Sequence, residues 1–111
     1  MDENRRKIAE RLVALSNGVL SIAPNPSYYA LKVDLRVAAL VSNSDHVQFI
    51  ISSTDLRNRV EKQFKLRPAP KSTPMHEHKF SIAGLTEEDI LNNESLFREI
   101  MHETLRTLGA N

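Results

Sequence analysis

His76 and His78 stand one residue apart in "PMHEHKFSIAGL", residues 74–85. On a strand, two imidazoles at that spacing point to the same side, where both can reach one metal ion. Read as a strand, residues 76–83 place His76, His78, Phe80 and Ile82 on one face and Glu77, Lys79 and Ser81 on the other. The apolar members make the histidine face the inner one. An ion would need further ligands, and His102, with Glu103 beside it, is the candidate on another element; His46 alternates away from Val47, Phe49 and Ile51. No spacing ties any of these to the pair. The expectation is therefore no cofactor, with the histidines at a sheet rim and bonded to backbone or water.

A second constellation is electrostatic. Residues 57–71 carry Arg57, Arg59, Lys62, Lys65, Arg67 and Lys71 against Glu61 alone, a local charge of +5, although the whole chain is only +1. Such a row can follow a phosphate backbone, each neutralised phosphate releasing counterions. No aromatic residue interleaves it as a stacking platform. Arg5, Arg6, Lys7 and Arg11 would extend the patch only if the first helix lies beside the second. The stretch from Thr86 onward is the opposite, with six acids against Arg98 and Arg106, a local charge of −4. That split marks one interaction surface, or two that meet.

Covalent and cofactor chemistry is poorly served. Phosphate-cradling loops, a dinucleotide fingerprint, a Gly-x-Ser-x-Gly elbow and His-Glu-x-x-His are all missing from the sequence, and it holds only three glycines. Zero cysteines exclude disulfides, thiolate metal ligation and a cysteine nucleophile, and fit a reducing compartment. Glu87 and Glu88 are best read as helix-start electrostatics. The chain is expected to be non-catalytic and cytoplasmic. It has no run of the roughly 18 to 20 apolar residues that a spanning helix needs, so no membrane partner is expected.

These groups must be positioned by elements, and 111 residues is the usual size of one domain. Ile8, Leu12, Leu15 and Val19 recur at helical spacing, predicting a helix over 3–16, with Asp2 and Glu3 at its positive start and Asn17-Gly18 as its stop. Strands follow at about 19–23, 29–41 and 46–52. In the second, Tyr29, Leu31, Val33, Leu35 and Val37 alternate with Ala30, Lys32, Asp34 and Arg36. A helix through Leu31, Leu35, Ala38 and Ala39 competes there; the strand is preferred because Val33 and Val37 would otherwise need a second buried face. A second helix over 55–65 buries Leu56, Val60 and Phe64. A proline-rich connector spans 66–75, the histidine strand 76–83, and a helical end 87–108 opens with Thr86 and Asp89 as a capping box.

The expected fold is α+β in two layers, a mainly antiparallel sheet of three to four strands with helices on one face, in the order α-β-β-β-α-β-α. The last helix carries a wider apolar band than one packing seam requires, through Leu96, Phe97, Ile100, Met101 and Leu108. These are the residues expected at the core or at a seam for a second copy. The expected function is a small interaction or regulatory module that self-associates as a homodimer, through that helix or an open sheet edge. A nucleic-acid-binding accessory protein using the basic row comes second, and a metal-dependent protein on the His-x-His strand third.

Overall fold

A computed structural model describes residues 3–110; residues 1, 2 and 111, Asp2 among them, lie outside the described residues. The stripe Ile8, Leu12 and Leu15 forms the inner side of α1 (Glu3–Leu15), which ends where Asn17 and Gly18 take left-handed backbone at φ 57° and 76°. Val19 lies past that stop and is exposed. Four strands follow: β1 (Ser21–Asn25), β2 (Tyr28–Val33), β3 (Arg36–Ser42) and β4 (His46–Ile50). Then come α2 (Thr54–Glu61), β5 (Leu66–Pro68), β6 (Lys79–Ala83), α3 (Glu87–Asn92) and α4 (Glu94–Thr107).

The strands make one six-stranded sheet in the order β1-β2-β3-β4-β6-β5, antiparallel throughout. The architecture is α+β as expected, but with six strands in place of three or four, and the order α-β-β-β-β-α-β-β-α-α. Two differences account for this. The single strand expected over 29–41 is a hairpin, turned at Asp34 and Leu35. Asp34 sits at φ 55° and Leu35 is 90% exposed. A two-residue turn pairs Val33 with Arg36 and so shifts the alternation by one residue. The extra residue Ala38 shifts it back, so Ala39 and Val41 face the core again and the apolar rhythm resumes; no Asn-Gly or Asp-Gly marks the reversal.

The second difference is β5, in the stretch expected to be a connector. Pro68 has no N–H for a ladder, and it is tolerated because β5 is an edge strand bonded only to β6. The opposite edge, β1, contains Pro24. Prolines on both outer strands blunt the edges against further strand addition.

Registered pairs share a face, so each row across the sheet can be assigned. Leu31, Ala39, Val41, Val47, Phe49, Phe80 and Ile82 lie on the inner side and belong to the core with residues of all four helices. Phe97 of α4 is its centre, 6.1 Å from the ring of Phe49 and 5.6 Å from that of Phe64. Thr104, fully buried, donates to the carbonyl of Ile50 at 2.8 Å and so pins α4 to the sheet without leaving a polar group unpaired. Among the described residues no helix is long and apolar enough to cross a membrane.

Candidate binding face

All the helices lie on one side, so the opposite side of the sheet carries no helix, and alternation decides which residues point to it. Lys32 lies between the core residues Leu31 and Val33, and Ser81 between Phe80 and Ile82. Both therefore point outward. Following the registered pairs, the outer side holds Tyr28 and Ser42; the row Ala30, Leu40, Gln48, Ser81 and Arg67; and two further pairs, Lys32 with Val37 and Ile50 with Lys79. Ala30 and Ile50 are buried yet stand outside the core cluster, as residues packed on the far face must.

The outer face is cationic. Lys32, Arg67 and Lys79 are joined by His46, opposite Ala83, and among the described residues none of these outward strand positions is acidic. Val37, Leu40, Ala30 and Ile50 make an apolar floor between the lysines. A shallow cavity of about 230 Å³ opens in that floor, bordered by Tyr28, Val37, Leu40, Gln48, Ile50 and Lys79. It is bounded by strand residues alone. A floor of aliphatic side chains with a phenol, an amide and an ammonium at its border can hold a flat ligand by its faces and its edge.

The expected basic row does not form one surface. Arg57 packs over the ring of Phe80, 5.1 Å from its centroid, donates to Thr54, and keeps its Nε buried without a hydrogen-bond partner. Arg59 is paired in a fork with Glu99 on α4, Nη1 donating to Oε1 at 2.9 Å. That hydrogen bond holds the Glu99 carboxyl below the usual carboxylate range. Lys62, Lys65 and Lys71 are exposed on and after α2, whereas Arg67 lies on β5 and turns to the outer face. Arg5 does not extend the row either. It is 5% exposed, and it ties α1 to the β3–β4 turn and the β6–α3 loop through the carbonyls of Ser42, His46 and Leu85 and the carboxylate of Asp45.

Four acids of the helical layer, Glu87, Glu94, Glu99 and Glu103, are likewise answered within the chain. Arg11 donates to Glu87 and Arg98 to Glu94. Glu103 accepts from Arg106 and from the Ser52 hydroxyl, and the Arg106 bond is the main reason its carboxyl is held below the ordinary range. The opposed charge blocks at 57–71 and after Thr86 therefore meet inside one molecule at Arg59 and Glu99.

The apolar band of the last helix is also used internally. Phe97, Ile100 and Met101 are fully buried, Leu96 is buried, and Leu108 packs half-buried against the same core. The seam they would have offered a second copy is filled by α1, α2, α3 and the sheet. Their width follows from α4 lying in the middle of the helical layer, where it touches all three of the other helices.

The histidine pair is not on a strand. Residues 71–78 run in successive turns, with Thr73 N–H bonded to Pro70 O, His76 N–H to Thr73 O and His78 N–H to Met75 O, and β6 starts only at Lys79. Met75 takes φ 58° in that path. Both imidazoles are consequently half-exposed and absent from the inner face, each within 4.0 Å of a different oxygen of Glu77. His102 lies on the outer side of α4, near Glu99, Glu103 and Arg106. Among the described residues no three His, Asp or Glu side chains are grouped so as to hold a metal ion.

Sequence reasoning missed the outer face because its cations come from β2, β5 and β6, and only the sheet order brings them together. The alternation in β2 and β6 was the one available signal. No protein-family model matches this chain, and no curated protein or solved structure is significantly similar to it.

Proposed function

We propose that this protein is a non-catalytic binding module that holds a single-stranded nucleic acid on the helix-free face of its sheet. The observation that carries the reading is the composition of that face: Lys32, Arg67, Lys79 and His46, with Tyr28 and an apolar floor, and no carboxylate among the described outward strand positions. Cations that track a backbone beside apolar and aromatic side chains that accept base faces are the two parts of a single-strand site. Lys32 and Lys79 stand on strands three steps apart in the sheet, about 14 Å or more, so they engage separate phosphates. A broad, shallow sheet suits splayed bases, whereas duplex DNA is read by an element that enters a groove.

The test is equilibrium binding of a labelled single strand at two salt concentrations. Three phosphates neutralised by Lys32, Arg67 and Lys79 give a logarithmic slope of about −2, or about a 20-fold loss of affinity between 50 and 200 mM salt. Replacing all three by alanine should flatten the slope, and replacing Lys62 and Lys65 should not. Absence of binding at 50 mM salt, or a slope carried by Lys62 and Lys65, refutes the proposal.

Self-association is the second reading. It is favoured by Leu35 and Val37, 90% and 41% exposed on the β2–β3 hairpin. Light scattering that shows only monomer at high concentration removes it.

A further inference from the structure

We infer that the cleft between β3 and β4 is a pocket for one unstacked nucleobase, an inference that rests on the single-strand reading above. Its origin is a local irregularity. Leu31 pairs with Ala39 but the next residue, Lys32, pairs with Val37, so Ala38 is an extra residue in β3. Such a bulge bends its strand and increases the local twist. On the other side of β3, registered pairing with β4 covers Val41 with Val47 and Leu40 with Gln48. The cavity opens just beyond that last pair, between Val37 and Leu40 on one side and Gln48 and Ile50 on the other.

Size and chemistry select the occupant. At about 230 Å³ the cleft is smaller than the roughly 300 to 1,000 Å³ of sites that hold drug-sized ligands, so it takes a single ring system. Val37 and Leu40 offer aliphatic contact to the face of a ring, with the buried Ile50 at the bottom of the cleft. Gln48 presents a carbonyl acceptor and an amide donor side by side, a pattern that the Watson–Crick edge of every base answers with an adjacent donor and acceptor. The Lys79 ammonium adds a donor for a ring nitrogen or exocyclic oxygen. Tyr28 supplies an aromatic surface and a hydroxyl at the border. Lys32 opposite Val37 and Arg67 beyond Ser81 place cations on either side, where the phosphates flanking an inserted base would run. A sugar-phosphate chain alone would use the cations and leave the floor unfilled.

The experiment compares a labelled strand of about ten nucleotides with a fully abasic deoxyribose-phosphate chain of the same length, by fluorescence anisotropy at 50 mM salt. The wild-type protein should bind the abasic chain about 10-fold or more weakly, with the same salt slope. Gln48→Leu keeps the size and half-buried position of the side chain and should weaken binding of the normal strand about 5-fold or more, leaving the abasic chain unaffected. Circular dichroism melting of the variant checks that it is folded. Equal binding of the two chains by the wild-type protein overturns the base pocket and leaves the single-strand module standing. Undiminished discrimination in folded Gln48→Leu overturns it as well. Failure to bind either chain overturns the underlying reading and this inference together.

Discussion

Replacing Arg5 by methionine tests how the helical layer is tied to the turn-bearing end of the sheet. The guanidinium donates to Ser42 O at 3.0 Å, His46 O at 3.2 Å and Leu85 O at 3.4 Å, and pairs with Asp45 at 3.0 Å. Hydrogen bonds to a charged group contribute about 1.5 to 3 kcal/mol each. The Ser42 and His46 bonds are only partly buried, so water replaces part of what is lost, and about 1 kcal/mol for each carbonyl is the appropriate lower figure. Asp45 is 68% exposed, and its ion pair adds no more than about 0.5 kcal/mol. Methionine retains most of the aliphatic packing, so the loss comes to about 3 kcal/mol. Against a total stability of roughly 5 to 15 kcal/mol, that is a large fraction. Urea unfolding should show a lower midpoint at unchanged slope, and Tm should fall by about 12 °C. Lysine should give an intermediate loss, because one ammonium cannot reach all three carbonyls. A methionine variant within about 0.5 kcal/mol of the wild type would refute the clamp.

Phe97→Ala empties the centre of the core and should cost about 3 to 5 kcal/mol by urea unfolding, with no change of oligomeric state by light scattering. Gly84 takes φ 71°, with its N–H bonded to Asp45 O, and an added Cβ would lie 3.7 Å from the Asp45 carboxylate. Space is adequate and backbone conformation is the obstacle, so Gly84→Ala should lower stability by about 1 kcal/mol. Glu103 has a lowered pKa in the folded protein, chiefly through the Arg106 hydrogen bond. The folded state thus holds its proton less tightly than the unfolded one. The stabilisation is full above the ordinary carboxylate value of about 4.3 and is lost as pH falls through the lowered folded value. Glu103→Gln should therefore flatten the acid limb of the stability–pH curve, as read by melting temperature between pH 3 and 6, and leave its slope near neutrality unchanged.

Parts of this architecture are plain in local sequence. Ile8, Leu12 and Leu15 announce α1, Asn17-Gly18 its end, and Thr86 with Asp89 forms both bonds of the capping box at the start of α3. Those features depend on neighbours within a turn or two. What escaped depends on residues far apart in the chain. The Asp34-Leu35 reversal hides because the bulge at Ala38 restores the two-residue rhythm that the turn shifts, and Leu35 is apolar at a tip where water is its surroundings. β5 hides because a strand with Pro68 is stable only as an edge, a position that sequence does not display. Extending the rhythm of Phe80 and Ile82 backward puts the histidines on a strand, but the chain runs in turns as far as His78. Lys32, Arg67 and Lys79 share one face only through the β2-β3-β4-β6-β5 order, so no window of sequence contains that surface.

Chemical-shift mapping with an unlabelled single-stranded oligonucleotide tests the central claim most directly, because it reports every backbone amide at once. The account predicts that shifts concentrate on Lys32, Val37, Leu40, Gln48, Lys79 and Ser81, with α2 and α4 unmoved. Shifts confined to Arg59, Lys62 and Lys65, or none at saturating oligonucleotide, would contradict it.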